Sequence, residues 1–125
     1  MGESMKAVFD TNILIDYLNG ISAAKVELDQ YKKKEISIIS FIEVMVGAQS
    51  TEEEKTIRGF LASFEILDLS ADISEETISI RKNLRLKVPD AIVYATARNQ
   101  GCNLVTRNTK DFDPGWPDIR VPYQV

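Results

Sequence analysis

The chain has 125 residues, 15 basic against 19 acidic side chains and a net charge of −4; a length of this order suits one domain around one core. Cys102 is its only cysteine and it has no histidine, which excludes an intrachain disulfide, Cys/His zinc sites, Ser-His-Asp triads and histidine acid–base pairs. Bulk attraction to phosphate is excluded too, so a nucleic-acid partner would need divalent cations or local basic positions such as Arg81, Lys82, Arg85, Lys87, Arg107 and Lys110.

Lys6 to Phe9 reads as a short buried strand, ended by Asp10-Thr11-Asn12 before the apolar run Ile13, Leu14, Ile15 and Leu18 of a helix. Asn19-Gly20 is a stop signal, and Ala24, Leu28 and Tyr31 then mark one face of a second helix. Its end carries the charge run Lys32 to Lys34, a favourable place against the helix dipole. Ile36 to Ile39 has the β-branched, apolar character of a buried strand. Ser40 and Glu43 follow with the spacing of a capping box, predicting a helix through Ala48. Thr51 and Glu54 repeat that spacing ahead of Ile57, Phe60, Leu61 and Phe64, the stripe of another amphipathic helix.

Ile66 to Leu69 reads as a strand, and Ile73, Thr77, Ile80 and Leu84 mark a helix that must end before Pro89. Asp90 opens the next helix, whose segment Ala91 to Ala97 is apolar nearly all round and therefore central, with Gly101 placed to close it. Leu104 to Thr106 is a further strand, and Val121 to Tyr123 adds an edge strand. This alternation predicts a three-layer α/β/α fold with a mainly parallel central sheet, as a single domain over residues 1–125, with the residues before Met5 set aside from the fold. No apolar run approaches the roughly 20 residues that span a bilayer, and no secretory signal pattern opens the chain, so a cytoplasmic protein without a membrane span is expected.

In such sheets ligands gather beyond the carboxyl ends of the strands, where Asp10 and the segment Thr106 to Asp111 fall. Taken singly, each acid there has a plain structural explanation: an Asx-turn for Asp10, the capping box for Glu43, the helix dipole for Asp90. Together, three acids at the ends of apolar segments suggest one crevice. Clustered carboxylates repel one another unless a cation joins them, and oxygen ligands without histidine or thiolate suit Mg²⁺ or Mn²⁺. Asp16, six positions past Asp10, is expected to face elsewhere in a solvated or interface role. Trp116 reads as a packing anchor and Cys102 as a small buried apolar residue.

The stretch VFDTNILIDYL, Val8 to Leu18, resembles the opening of VapC-type PIN domains, with Asp10 matching their first acid. ISFIEVMVGA, Ile39 to Ala48, fits their second motif with Glu43 as its acid. VPDAIVYATARNQGCNLVTRNTKDF, Val88 to Phe112, is similar to the third, with Asp90 as the third acid and Thr106 as the hydroxyl residue beside the site. Where many members carry a fourth acid this chain has Asn108, and Asp111 is the acid available in its place.

The resemblance implies a Mg²⁺- or Mn²⁺-dependent endoribonuclease, the toxin of a type II toxin–antitoxin pair. It implies metal held by Asp10, Asp90, Glu43 and Asp111, catalysis by Asp10, Glu43, Asp90 and Thr106, and RNA contacts from Asn12, Thr106, Arg107 and Asn108. A cognate VapB-like antitoxin and a homodimer are the implied protein partners. Three rival readings stand beside it: a haloacid-dehalogenase-like phosphatase, which Asn12 spoils by replacing a second aspartate; a phosphate-sensing receiver-like module, which normally needs paired acids after the first strand; and a degenerate PIN domain that binds RNA without cutting it.

Overall fold

Ala7 and Phe9 turn to one face of the first strand and Val8 to the other, and all three are fully buried. A strand that is apolar on both faces belongs at the centre of a covered sheet. The computed structural model, which describes residues 6–125, places it there; the residues before Met5 lie outside those described. The elements run β1 Lys6–Phe9, α1 Thr11–Leu18, α2 Ser22–Leu28, β2 Lys33–Ser37, α3 Ile38–Val46, α4 Thr51–Leu61, β3 Glu65–Leu67, α5 Ala71–Leu84, α6 Val88–Gln100, β4 Asn103–Val105 and β5 Ile119–Arg120. The strands pair in the order β3-β2-β1-β4-β5, every pair parallel.

Two apolar layers sandwich that sheet. On one face Ala7, Phe9, Ile36 and Val105 pack against Ile13, Leu28, Val44 and Leu61 of α1 to α4. Edge-on aromatic pairs of Phe9 with Tyr31 and Phe64 knit this layer. On the other face Val8 and Leu104 meet Ile73 and Ile80 of α5 and Val93, Tyr94 and Ala97 of α6. Ala91 to Ala97 are buried without interruption, so α6 is the central helix expected, and Gly101 closes it in the left-handed conformation (φ 67°). Each fully buried large apolar side chain contributes about 1.5–3 kcal/mol, and both faces carry several. Among the described residues no helix is long and apolar enough to cross a membrane.

The elements agree with the sequence pattern; several boundaries do not. β2 starts at Lys33, because pairing with β1 in the register Lys6↔Lys33 draws two lysines of the charge run into the sheet instead of leaving them at a helix end. Ser37 then caps α3, its Oγ accepting from Ile39 N at 3.0 Å. Ser40 lies inside the helix and Glu43 has no capping duty. The second box is displaced by one residue: Ser50 Oγ accepts from Glu53 N (3.1 Å) and Glu53 Oε1 from Gln49 N (3.0 Å). The edge strand is Ile119–Arg120, not Val121 to Tyr123, because the turn in which Ile119 N donates to Trp116 O (3.1 Å) delivers Ile119 beside Leu104.

Candidate active site

β1 has β2 on one side and β4 on the other, so the connections leaving its carboxyl end diverge and open a crevice there. Asp10 occupies that end. Its backbone N–H continues the sheet by donating to Val105 O at 2.9 Å, and its Oδ1 caps α1 by accepting from Thr11 N at 2.8 Å. Oδ2 accepts from the Thr106 hydroxyl (2.8 Å) and from Asn12 Nδ2 (3.2 Å). The Thr106 oxygen in turn accepts from Asn12 Nδ2 (3.2 Å) and Asn108 N (3.0 Å), and Asn12 Oδ1 accepts from Arg107 N (3.0 Å). Asn12 and Thr106 thus lock the β1–α1 corner to the loop after β4. That network uses both polar atoms of the Asn12 amide.

Three more acids approach this corner. Glu43, freed from capping and exposed on α3, accepts from the Thr11 hydroxyl at 2.5 Å. Asp90 stands half-buried in the first turn of α6. Asp111 Oδ2 accepts from Asn108 Nδ2 (3.0 Å), and its N–H donates to Asn108 Oδ1 (3.2 Å). Asn108 therefore holds Asp111 in a fixed orientation, and the Asp111 charge reaches Asp90.

Burial pushes the Asp10 carboxyl up to about 6; hydrogen bonds from Thr106 and Thr11 pull the other way, and the charges of Asp90 and Glu43 add to the rise. Asp90 is raised as well, first by burial and then by Asp111 and Glu43, against the opposing charge of Lys87. The four acids share one electrostatic field. Among the described residues none of the four forms an ion pair with lysine or arginine.

All the available donors are oxygens. Among the described residues no three His, Cys, Asp or Glu side chains converge closely enough to enclose a metal ion by themselves. Oxygen donors of this kind are the ligand chemistry that hard divalent cations accept.

Asp16 departs from expectation, because it is buried and not solvated. Asp16 is only 6% exposed, and Arg107 engages it with both prongs of its guanidinium (Nε 2.5 Å, Nη2 2.9 Å) while the Tyr123 hydroxyl donates to it at 2.8 Å. Its place three residues after the buried Ile13 was the only local signal that it points inward. Trp116 is the packing anchor expected, stacked on Tyr94. Cys102 is half-buried, its thiol pushed up to about 11 chiefly by burial, which makes it a poor nucleophile.

The family model of the PIN domain matches residues 7–113. The tRNA(fMet)-specific endonuclease VapC of Shigella flexneri is 30% identical over 121 residues, covering 87% of this chain and 91% of that one. Ribonuclease VapC1 of Methanocaldococcus jannaschii is 29% identical, covering 89% of this chain and 82% of its own length. A chain of a toxin–antitoxin complex from Klebsiella pneumoniae superposes with a TM-score of 0.89 at 44% identity, covering 95% of this chain and 99% of that one. With these similarities running across nearly the whole sheet and through all three acidic motifs, the chain belongs to the PIN-domain family, in its VapC-type branch.

Proposed function

We propose that this protein is a Mg²⁺- or Mn²⁺-dependent endoribonuclease, the toxin of a type II toxin–antitoxin pair. One observation carries the reading: a buried carboxylate at the switch point of the sheet, fixed by Thr106 and Asn12, shares its field with Glu43 and Asp90 and forms no ion pair among the described residues. VapC-type relatives bear the names of ribonucleases, which supports RNA as the substrate.

Asp10 and Asp90 are the principal ligands in this reading, with Glu43 completing the site or orienting a water and Asp111 serving a second ion. A bound divalent cation would supply Lewis-acid polarisation of the phosphodiester and a more acidic attacking water. The protein's own residues set the geometry. Thr106 and Asn12 prevent the Asp10 carboxylate from rotating, the Thr11 hydroxyl holds Glu43 toward the same corner, and Asn108 holds Asp111. Pre-positioned groups lower the barrier by removing the search for geometry at the moment of reaction.

The antitoxin reading rests on a cleft of about 600 Å³ between α1, α3 and α4, floored by Ile15, Leu18, Val44 and Ile57 and bordered by Glu43, Glu52 and Glu53. Apolar floor and acidic rim suit an extended tail carrying apolar and basic residues, and an arginine on such a tail would engage carboxylates in competition with the metal. Ile42 and Val46, exposed one turn apart on α3, offer surface for the proposed homodimer. The test is paired. Purified protein should cleave RNA in Mg²⁺ or Mn²⁺ but not in EDTA, and its toxicity on expression should be relieved by the neighbouring small protein. A folded, metal-loaded chain that leaves RNA intact overturns the reading.

A further inference from the structure

We propose that Asp16 is a positioning residue of the site, acting through Arg107 to hold the loop after β4 against α1. The proposal rests on the metal-nuclease reading and extends it to a residue that touches none of the four site acids. Arg107 stands between Thr106, which grips Asp10, and Asn108, which grips Asp111. It is anchored at both ends of its own structure: the backbone N–H donates to Asn12 Oδ1 in the first turn of α1, and the guanidinium donates to Asp16 one turn further along the same helix. Helix α1 thus holds one residue of the loop at two points. The Tyr123 hydroxyl, arriving from beyond β5, donates to Asp16 Oδ2 and braces it from the far side.

The chemistry of the pair suits this duty. A planar guanidinium meeting both oxygens of a carboxylate fixes orientation as well as distance, which a lysine would not. The hydrogen bonds from Arg107 lower the Asp16 carboxyl from its ordinary value, so the clamp stays charged near neutral pH. Loss of the Asp16 charge leaves a partly buried arginine unpaired, and the cheapest relief is for the loop to move outward. The Thr106 hydroxyl and the Asn108 amide move with it.

Two measurements on the full-length protein separate positioning from bulk stability: Mn²⁺ affinity by calorimetry, per folded molecule, and hydrogen exchange at the Arg107 and Asn108 amides. Asp16→Asn should weaken Mn²⁺ binding about tenfold, the usual scale for residues that orient a ligand from behind. It should also speed exchange at both amides. Tyr123→Phe, which keeps the ion pair, should give the same pattern at a few-fold size, so the test survives if Asp16→Asn folds poorly. In Asp16→Asn/Arg107→Gln the two losses should be strongly non-additive. Glu27→Gln, which breaks the buried pair with Arg120, should lower stability and leave both readouts unchanged. Wild-type Mn²⁺ affinity and wild-type amide protection in folded Asp16→Asn and Tyr123→Phe overturn the proposal. Failure of the wild type itself to bind Mn²⁺ overturns the metal reading, and the exchange measurement still decides whether the clamp holds the loop.

Discussion

Six acids carry one functional group and meet two different fates. Asp16 and Glu27 are buried and each is met by an arginine fork, Glu27 by Arg120 at 2.6 and 2.9 Å with the Tyr31 hydroxyl adding a third bond at 2.8 Å. Asp10, Glu43, Asp90 and Asp111 form no ion pair with lysine or arginine among the described residues, although Asp10 is as buried as Asp16. The contrast separates scaffold from site. Neutralised acids hold elements together, whereas acids kept bare and mutually repelling store a demand that an external cation can meet.

The strongest way to break this contrast is to neutralise a bare acid. Asp10→Asn or Asp90→Asn should lower RNA cleavage at least about 100-fold, as expected when several kcal/mol of transition-state charge stabilisation are lost. Cleavage assays at equal folded concentration check it, and an active mutant would dissolve the site. Neutralising a paired acid should do the reverse. Glu27→Gln leaves the half-exposed Arg120 without its charged partner and should cost on the order of 1–2 kcal/mol in urea unfolding, with cleavage per folded molecule unchanged. Asp29→Asn, at the exposed pair with Lys25, should leave the unfolding midpoint in the same assay unchanged.

A pH series sharpens the comparison from the other side. With its carboxyl raised from 3.8 to about 6 in the folded state, Asp10 contributes stability that is fully present below 3.8 and lost as pH rises through 6, because the unfolded chain ionises first. In EDTA, the stability of Asp10→Asn relative to wild type should therefore rise by on the order of 2 kcal/mol between pH 4 and pH 7. A flat difference would mean that Asp10 is not electrostatically stressed. The smallest effect concerns Asp111. Asp111→Asn should weaken a second Mn²⁺ more than the first, and superimposable calorimetric isotherms for mutant and wild type would place it outside the coordination sphere.

Much of this was legible in the sequence because it is local. Apolar periodicity marked the helices and strands, and Asp10, Asp90 and Thr106 announced themselves by standing where one element gives way to another. Boundaries that depend on a neighbour were not legible: Lys33 and Lys34 are poor strand residues, and only pairing with β1 makes them one. The capping boxes failed for a related reason, since Ser37 and Ser50 lie closer to the true helix starts than the serine and threonine with the same spacing. The arginine clamps were invisible because their partners lie 91 and 93 residues apart, and no local pattern reports such a pairing.

The bond from Thr106 to Asp10 joins residues 96 positions apart, and this has a consequence for synthesis. Long-range parallel pairings form late, after the chain has met the entropy of closing a large loop. During vectorial synthesis the corner around Asp10 has no Thr106, Asn108 or Asp111 until the loop after β4 has left the ribosome. A chain that ends before this loop therefore lacks the groups that fix the Asp10 carboxylate, and its corner stays unassembled.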